Sequence, residues 1–284
     1  MSLDPALPPP HSTPPATETG FPLPLGPHIW DGGINFSLFS RHATQVWLEL
    51  YDGPEDAIPR HRFSLTAPRH RTGDLWHIWI EGLVPGQLYG YRVDGPYAPE
   101  EGHRFNPYKL LLDPYAAAIT HMENWDFRRA QGYDASDPRK DLSFSTENNA
   151  DTAPKCVVME RRTGWEERRP LRRPWADTVI YELHVRGFTV HPSAGAEHPG
   201  TYRGLVEKIP YLKDLGITAV ELLPVQEFNE HELTRVNPVS GEPLRNYWGY
   251  NPATFFAPNG LYSSTGTQGE QVEEFKDMVK AFHE

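Results

Sequence analysis

Residues from Ile29 to about Tyr97 follow a period of two, in which apolar and polar side chains alternate. Turn sequences rich in glycine, proline and aspartate divide this region into short runs. Successive side chains of a strand point to opposite faces, so each run predicts a strand with one buried face. The apolar positions of the runs are Ile34, Phe36 and Leu38; Val46, Leu48 and Leu50; Phe63 and Leu65; Trp76, Ile78 and Ile80; Tyr89, Tyr91 and Val93. Short strands at this spacing predict a small all-β sandwich over residues 28–115.

A different pattern begins near residue 177. Two short, mainly apolar runs at 179–185 and 217–225 predict buried strands. Between them, the spacing of Leu205, Ile209, Leu212 and Leu215 predicts a helix that stops at Gly216. Strand, helix and strand in this order predict a right-handed parallel βαβ unit. Apolar residues at helical spacing predict a further helix near the end of the chain: Val272, Phe275, Val279 and Phe282.

The best candidate for a functional site is the loop at 246–252, which reads Asn-Tyr-Trp-Gly-Tyr-Asn-Pro and follows the second predicted strand. In parallel sheets and barrels, sites form on the loops that leave the carboxyl ends of the strands. This loop carries three aromatic side chains with a glycine among them. It therefore has the position and the composition of a ligand-binding loop.

Two segments show no periodicity. Residues 1–27 hold nine prolines and few apolar side chains, which predicts a disordered tail. Residues 116–176 are interpreted as a linker. It contains six arginines between 161 and 173, and we interpret these as a solvated stretch because Pro170 and Pro174 interrupt any helix that could present them as a nucleic-acid patch.

Composition narrows the class of protein. A length of 284 residues suggests about two domains. The net charge of −11 argues against nucleic acid as a partner. Cys156 is the only cysteine, which excludes an internal disulfide and fits a reducing compartment. No secretory signal and no apolar stretch of bilayer length is present, so we expect a cytoplasmic protein without a membrane partner.

Several segments carry a family resemblance. Four in the second half together resemble the α-amylase superfamily of glycoside hydrolases (family 13), and within it the isoamylase and glycogen-debranching branch: YELHVRGFT (181–189), GITAVELLPV (216–225), NYWGYNP (246–252) and YSS (262–264). Two in the first half resemble the N-terminal domain of debranching and branching enzymes, which is classed with carbohydrate-binding modules: GINFSLFS (33–40) and YGYRVDGPY (89–97). Two more are similar to the debranching branch: RFNPYKLLLDPYA (104–116) and APKCVV (153–158).

The resemblance implies a multidomain fold. An immunoglobulin-like all-β sandwich would be followed by the start of a (β/α)8 TIM barrel at 177–284. Roughly a hundred residues are present where a whole barrel needs roughly 250, so we expect an incomplete barrel and the N-terminal part of a longer enzyme. The implied activity is hydrolysis of α-1,6 branch linkages in glycogen or related α-glucans. The alternatives are a branching or trehalose-forming relative, or a non-catalytic α-glucan-binding protein.

No catalytic residue is assigned in this chain. Retaining glycosidases use two carboxylates, and in the family these follow the fourth and fifth barrel strands, beyond Glu284. Glu182, Glu221 and Glu227 match none of the family motifs. We interpret Glu182 and Glu221 as buried partners of arginine or backbone. The chain by itself is therefore expected to hydrolyse no α-glucan.

The resemblance does imply substrate-binding residues. Tyr250 matches the tyrosine that stacks on the sugar ring undergoing cleavage, and Trp248 lies on the same loop. The expected partner is an α-glucan such as glycogen, amylopectin or maltodextrin. Some isoamylases hold calcium near the residue that matches Glu227, but Phe228, Asn229 and Glu230 depart from that pattern, so no metal and no cofactor is expected.

Two further interpretations concern the sandwich and its connection. Trp47, Tyr51 and Trp79 occupy the alternate positions of their strands that otherwise hold polar residues. They either form a flat row that stacks on sugar rings or pack against the catalytic domain, and we favour packing. Cys156 lacks a histidine motif nearby, so we interpret it as a packed thiol rather than a nucleophile.

Overall fold

A computed structural model describes residues 13–121, 125–160, 172–233 and 235–284. The chain divides into two compact units, Met1–Met159 and Glu160–Glu284. Most of the arginine-rich stretch, at 161–171, lies outside the described residues, as do residues 1–12 of the proline-rich segment.

The first unit is a sandwich of two antiparallel sheets. Its elements in chain order are β1 (Thr17–Glu18), β2 (Gly26–Trp30), β3 (Gly33–Phe39), β4 (Gln45–Tyr51), β5 (His61–Leu65), β6 (Arg71–Thr72), β7 (Leu75–Glu81), β8 (Leu88–Asp94), β9 (Tyr97–Ala98), β10 (His103–Arg104), the short helix α1 (Phe127–Ala130) and β11 (Cys156–Val157). One sheet has the order β1-β7-β3-β2, with β6 also paired to β7, and the other has the order β11-β8-β4-β5. Strands β9 and β10 form a small separate hairpin.

The core lies between the two sheets and consists of the alternating apolar residues that predicted the strands. In the first sheet Phe36 lies opposite Ile78, and in the second Leu48 lies opposite Tyr91. These side chains share one buried cluster, which also contains Cys156 and Ile119. Because alternate residues of paired strands face the same side, the register brings the apolar rows together. The predicted sandwich is confirmed.

The outer face of the first sheet is covered by the segment before β2. The Asn35 side chain accepts a hydrogen bond from the Phe21 amide at 2.9 Å and donates to the Phe21 carbonyl at 3.0 Å. Ser37 donates to the Pro22 carbonyl at 2.6 Å, and β1 pairs with β7. The expectation of a disordered tail is therefore wrong for residues 13–27. Prolines cannot donate to a ladder, but side chains of the sheet satisfy this backbone instead.

The outer face of the second sheet is covered by the segment after β10. On this face the Arg92 guanidinium donates to the Pro107 carbonyl at 3.2 Å and to the Asn148 side chain at 2.8 Å, and Thr120 donates from its amide to the Lys155 carbonyl at 2.8 Å. Strand β11 then joins the sheet beside β8. The interpretation of residues 116–176 as a linker is wrong up to Met159, because this stretch belongs to the first unit.

A buried ion cluster lies on this covered face. Glu49 is fully buried and accepts hydrogen bonds from Arg62 Nε at 2.7 Å and from Arg92 Nε at 2.9 Å. The Tyr51 hydroxyl donates to the same carboxylate at 2.5 Å. Removing the Glu49 carboxylate would take this counter-charge away from the buried Arg92 guanidinium, which is strongly destabilising.

The second unit begins with a parallel strand pair. Its elements are β12 (Ile180–Leu183), α2 (Val185–Thr189), α3 (Tyr202–Val206), α4 (Ile209–Asp214), β13 (Ala219–Leu222) and α5 (Glu270–His283). Strands β12 and β13 pair in parallel from Ile180–Ala219 to Leu183–Leu222, as predicted, and α5 covers the predicted second helix. The buried cluster of this unit contains Leu183, Leu205, Phe228 and Met278.

Two predictions for this unit need correction. The single helix expected between the strands is broken into α3 and α4 around Pro210, which lies in the first turn of α4. Proline has no N–H to donate to the preceding turn, so the apolar spacing continues while the helix does not. Glu182 and Glu221 lie opposite each other in the strand pair and are exposed, so the interpretation of both as buried is wrong.

Within the described parts of the chain, no helix combines the length and the apolar character needed to cross a bilayer.

Candidate functional site

The aromatic loop 246–252 is anchored by the chain that follows β13. The Glu227 amide donates to the Ala257 carbonyl at 2.9 Å, and the Ala253 amide donates to the Glu227 carbonyl at 2.8 Å. Phe228 and Pro252 form an isolated bridge. The chain therefore returns beside residues 227–228 at the end of the loop, so the base of the loop is fixed by backbone hydrogen bonds.

Carboxylates hold the sides of the loop. Glu232 accepts a hydrogen bond from the Asn246 side chain at 2.6 Å and a second from the Asn251 side chain. Arg245 pairs with Glu230 at 3.0 Å. Because both asparagines of the Asn-Tyr-Trp-Gly-Tyr-Asn sequence contact one carboxylate, the aromatic residues between them are confined to a tight turn.

Gly249 allows that turn. Its φ of +73° lies in the left-handed region, and a Cβ there would lie 2.8 Å from a ring carbon of Phe228. The backbone conformation and the close approach each favour glycine. The Gly249 amide also donates to the Asn246 side chain at 3.1 Å.

The two residues expected to bind substrate point outwards. Trp248 is 55% exposed and Tyr250 is 69% exposed. The Trp248 ring meets the ring of Tyr247 edge to face at 5.5 Å. An exposed aromatic face on a fixed loop offers apolar contact area for the C–H groups of a sugar ring, while the polar atoms of both partners remain available for hydrogen bonds.

His184 lies beneath the loop and was not found by sequence reasoning. Its ring stacks on Tyr247 with centroids 4.5 Å apart and planes 17° apart. The Gly187 amide donates to His184 Nδ1 at 3.0 Å, so Nε2 carries the proton and donates to the Tyr247 carbonyl at 2.9 Å. The Tyr262 hydroxyl lies 3.3 Å from Nε2. A usable signal was present, because His184 directly follows β12, at the end of a strand where site residues collect.

Burial lowers the pKa of His184, the nearby Arg186 lowers it further, and the hydrogen bond to the Tyr247 carbonyl raises it. The neutral ring is the form that fits its surroundings, because a proton on Nδ1 would face the Gly187 N–H. His184 therefore acts here as a neutral hydrogen-bond donor and acceptor.

A second carboxylate organises the Tyr-Ser-Ser segment. Glu274 of α5 is buried and accepts hydrogen bonds from the Ser264 amide at 2.9 Å and the Thr265 hydroxyl at 3.0 Å. It also accepts from the Arg203 amide in the first turn of α3 at 3.3 Å. These bonds tie the loop that contains Tyr262 to two helices.

The carboxylates nearest the loop are occupied by structural contacts. Glu227 is buried and accepts from the Gly260 amide at 2.6 Å, while Glu230 pairs with Arg245 and His231. Among the described residues, histidine, cysteine and acidic side chains form no group of three that would hold a metal ion. Cys156 is fully buried in the first unit, where burial raises the pKa of its thiol, as fits a packed side chain.

The flat aromatic row, which was the less favoured of the two alternatives for Trp47, Tyr51 and Trp79, does not exist on the sandwich. Trp47 and Tyr51 belong to β4 in one sheet and Trp79 belongs to β7 in the other, so their outward faces lie on opposite sides of the sandwich. All three are buried. Lys155 Nζ lies 4.8 Å from the Tyr51 ring centroid, and the Trp79 indole donates to the Trp30 carbonyl at 3.0 Å.

Comparison with known proteins agrees with this architecture. Residues 24–116 match the model of carbohydrate-binding module 48, the isoamylase N-terminal domain. A glycogen debranching enzyme from Yersinia enterocolitica (serotype O:8 / biotype 1B) is 44% identical over 271 residues, which cover 94% of this chain and 38% of that protein. The chain thus spans well under half the length of this relative.

Solved structures show the same fold. A pullulanase from Paenibacillus barengoltzii, complexed with maltotriose, matches with a TM-score of 0.64 and 23% identity over 92% of this chain and 36% of that one. Pullulanase type I from Bacillus subtilis, complexed with maltose, matches with a TM-score of 0.60 and 25% identity over 94% of this chain and 32% of that one. Residues 24–116 therefore match the carbohydrate-binding module 48 family, and the chain is similar to a glycogen debranching enzyme in sequence and to pullulanases in fold.

Proposed function

We propose that this chain is the glucan-binding part of a debranching enzyme that hydrolyses α-1,6 branch linkages in glycogen, amylopectin or related maltodextrins. The observation that carries the proposal is the fixed loop on which Trp248 and Tyr250 are both exposed. The debranching relative supports the choice of substrate class. Branching and trehalose-forming enzymes are the alternatives within the same superfamily.

We further propose that the second unit is the start of a (β/α)8 barrel. The parallel pairing of β12 with β13 and the helices between them support this proposal, because a barrel repeats that unit. In such a barrel the loop 246–252 would lie at the carboxyl end of the strands, with the other active-site loops. Glu182 and Glu221 would lie on the face of the sheet opposite to the apolar cluster.

Binding rather than hydrolysis is the activity proposed for this chain by itself. Glu227, Glu230 and Glu232 are each held by hydrogen bonds or ion pairs within the loop region. A retaining mechanism needs a free carboxylate pair about 5–5.5 Å apart. A non-catalytic glucan-binding protein is therefore the second candidate. Reading the coding sequence past codon 284 would separate the two, since a third strand followed by an Asp-x-x-x-Asn-His motif indicates the enzyme.

The proposed location is the cytoplasm. Cys156 is a free, buried thiol, which agrees with a reducing compartment. Fractionation of cells with an antibody against this chain would test the location.

The binding proposal predicts measurable affinity for a linear maltodextrin. Titration calorimetry with maltoheptaose should give heat with the wild type, and Trp248→Ala or Tyr250→Ala should weaken binding about five-fold, since an aromatic stacking contact is worth about 1 kcal/mol. Trp175→Ala is the matched control, because Trp175 is 84% exposed and lies outside the loop.

Absence of heat at millimolar maltoheptaose would reject the proposal, as would equal losses in Trp175→Ala and Trp248→Ala. If the coding sequence continues past codon 284, the reaction type is tested separately on its full product. Release of reducing ends from amylopectin indicates debranching, whereas a branching enzyme transfers chains without net release.

A further inference from the structure

The first turn of α2 forms a seat for the Tyr247 ring. His184 lies against one face of that ring at a centroid distance of 4.5 Å and donates to the backbone carbonyl of the same residue. Gly187, one turn further along, lies under the hydroxyl: a Cβ built on Gly187 would lie 2.9 Å from the Tyr247 hydroxyl oxygen.

The helix itself does not require glycine at position 187. Gly187 does not have a positive φ, and alanine is favoured over glycine inside helices. Local structure would therefore favour alanine here. The close approach of Tyr247 is the feature of this position that needs glycine, so the glycine serves the loop rather than the helix.

We propose that His184 and Gly187 are positioning residues, which set the affinity for glucan by fixing Tyr247 and, through it, the placement of Trp248 and Tyr250. The inference rests on the proposed function of the loop. Neither residue needs to touch the sugar. Tyr247 is the neighbour of Trp248 in sequence and contacts its ring at 5.5 Å, so a displaced Tyr247 ring moves the indole as well.

His184 is suited to this role by having two nitrogen atoms with different tasks. Nδ1 accepts from the Gly187 amide and so caps α2, while Nε2 donates to the loop. Asparagine is a good helix cap, but its side chain is too short to do both. His184→Asn therefore keeps the cap and removes the contact with the loop.

Gly187→Ala is the sharper test, because it has a specific rescue. The new methyl group collides with the hydroxyl of Tyr247, and Tyr247→Phe removes that hydroxyl. We expect Gly187→Ala to weaken maltoheptaose binding about five-fold, the size of one lost aromatic contact, with a melting temperature no lower than that of the wild type, because alanine is favoured over glycine in a helix. The double variant Gly187→Ala/Tyr247→Phe should bind within two-fold of Tyr247→Phe alone, as expected for two positions that interact directly.

Spectroscopy reports the loop independently of glucan. The indole ¹H–¹⁵N resonance of Trp248, assigned by its loss in Trp248→Phe, should shift in Gly187→Ala and in His184→Asn, and should return in the double variant. Thr201→Asn is the matched control for a cap substitution, because Thr201 caps α3 through the Gly204 amide. It should leave the Trp248 resonance and the binding constant unchanged.

The outcomes separate the two proposals. An unshifted Trp248 resonance and unchanged affinity in Gly187→Ala would overturn the positioning role, and so would a failure of Tyr247→Phe to rescue the variant. The wild type could bind no maltoheptaose while the Trp248 resonance shifts in Gly187→Ala and returns in the double variant. That result would support the role of Gly187 in positioning Tyr247 and would reject the proposed glucan-binding function.

Discussion

Gly249 is the residue at which the aromatic loop tolerates least change. Its backbone is left-handed, and its Cα faces Phe228, a residue of the buried cluster. Phe228 cannot move aside without disturbing that cluster. A side chain at position 249 would therefore carry both conformational strain and steric overlap.

We expect Gly249→Ala to lower the free energy of unfolding by about 3 kcal/mol, of which about 1 kcal/mol is backbone strain and the rest is overpacking. Gly241→Ala is the matched control, because Gly241 has a φ of +74° but nothing within 4 Å of its Cβ position. It should lose only the strain. Urea denaturation measures both, and equal losses in the two variants would show that Phe228 does not restrict this position.

Asp113 makes the stability of the first unit depend on pH. Its carboxylate is buried and accepts hydrogen bonds from the Tyr89 hydroxyl at 2.9 Å and the Tyr115 amide at 2.8 Å. Burial raises its pKa to about 6, although both hydrogen bonds act in the opposite direction. Between pH 4 and pH 6 the folded chain therefore binds more protons at this site than the unfolded chain, so this group stabilises the fold below pH 4 and loses that contribution as the pH rises through 6.

Asp113→Asn removes this dependence. Relative to the wild type, the variant should gain up to about 3 kcal/mol in unfolding free energy between pH 4 and pH 7. Chemical denaturation at several pH values gives the difference, and comparison with the wild type cancels the titration of all other groups. A difference that stays constant over this range would contradict the raised pKa.

Residues differ in how well sequence predicts them. Trp248 and Tyr250 were found because a family motif and a strand-end position both mark them. Trp47, Tyr51 and Trp79 were misjudged because parity gives the face of a strand but not the sheet to which the strand belongs. His184 was missed because its role depends on contacts with residues more than sixty positions away in the chain.

At the scale of elements, periodicity predicted those strands and helices that bury one face. Strands β3, β4, β7 and β8 lie within the predicted alternating runs. Helix α5 contains the apolar residues whose helical spacing predicted it. The predictions for segments 13–25, 116–121 and 125–155 were wrong. Individual hydrogen bonds to buried side chains hold these segments, such as the bond from the Phe21 amide to the Asn35 side chain. Bonds of this kind produce no periodic pattern in the sequence. Pro210 divided a helix that apolar spacing alone would have continued.

The segment before β2 should be essential for the stability of the first unit. A chain lacking residues 1–25 loses the partners of Asn35, Ser37 and His77 and uncovers one sheet face. We expect its unfolding free energy to fall by at least about 3 kcal/mol, since each buried polar group left without its partner costs about 1–3 kcal/mol.

Asn35→Ala in the full chain isolates one part of this effect and should cost about 2 kcal/mol. Thermal and chemical denaturation provide the measurement. Unchanged stability after the deletion would mean that the segment only rests on the sheet.

At the scale of the whole molecule, the two units differ in how completely their sheets are covered. In the first unit both faces of β3 and β4 are buried. In the second, the sheet has two short strands, Ile180 is 50% exposed and Glu182 is exposed. Parallel strands are normally covered on both faces, and an edge without a partner invites association.

Hydrogen exchange should therefore be unequal. Amides in 34–50 should exchange slowly, while those in 179–185 and 217–225 should exchange at least tenfold faster, because a two-stranded sheet opens at lower free energy. Mass spectrometry of peptides from the exchanged chain gives both rates in one sample. Comparable protection in the two regions would show that the second unit is stable on its own.

The covering of the sandwich by its flanking segments also bears on how this module can be moved between proteins. The family match ends at residues 24 and 116, whereas the compact unit runs to Met159 and includes β1 and β11. A gene fusion cut at the family boundaries would lack strands β1 and β11, which belong to the two sheets, together with the flanking segments that carry them, and would expose Trp79 and the Glu49 ion cluster. A fusion protein that keeps the domain intact has to include residues 13–159. We expect other enzymes that contain this domain to keep both flanking segments as well.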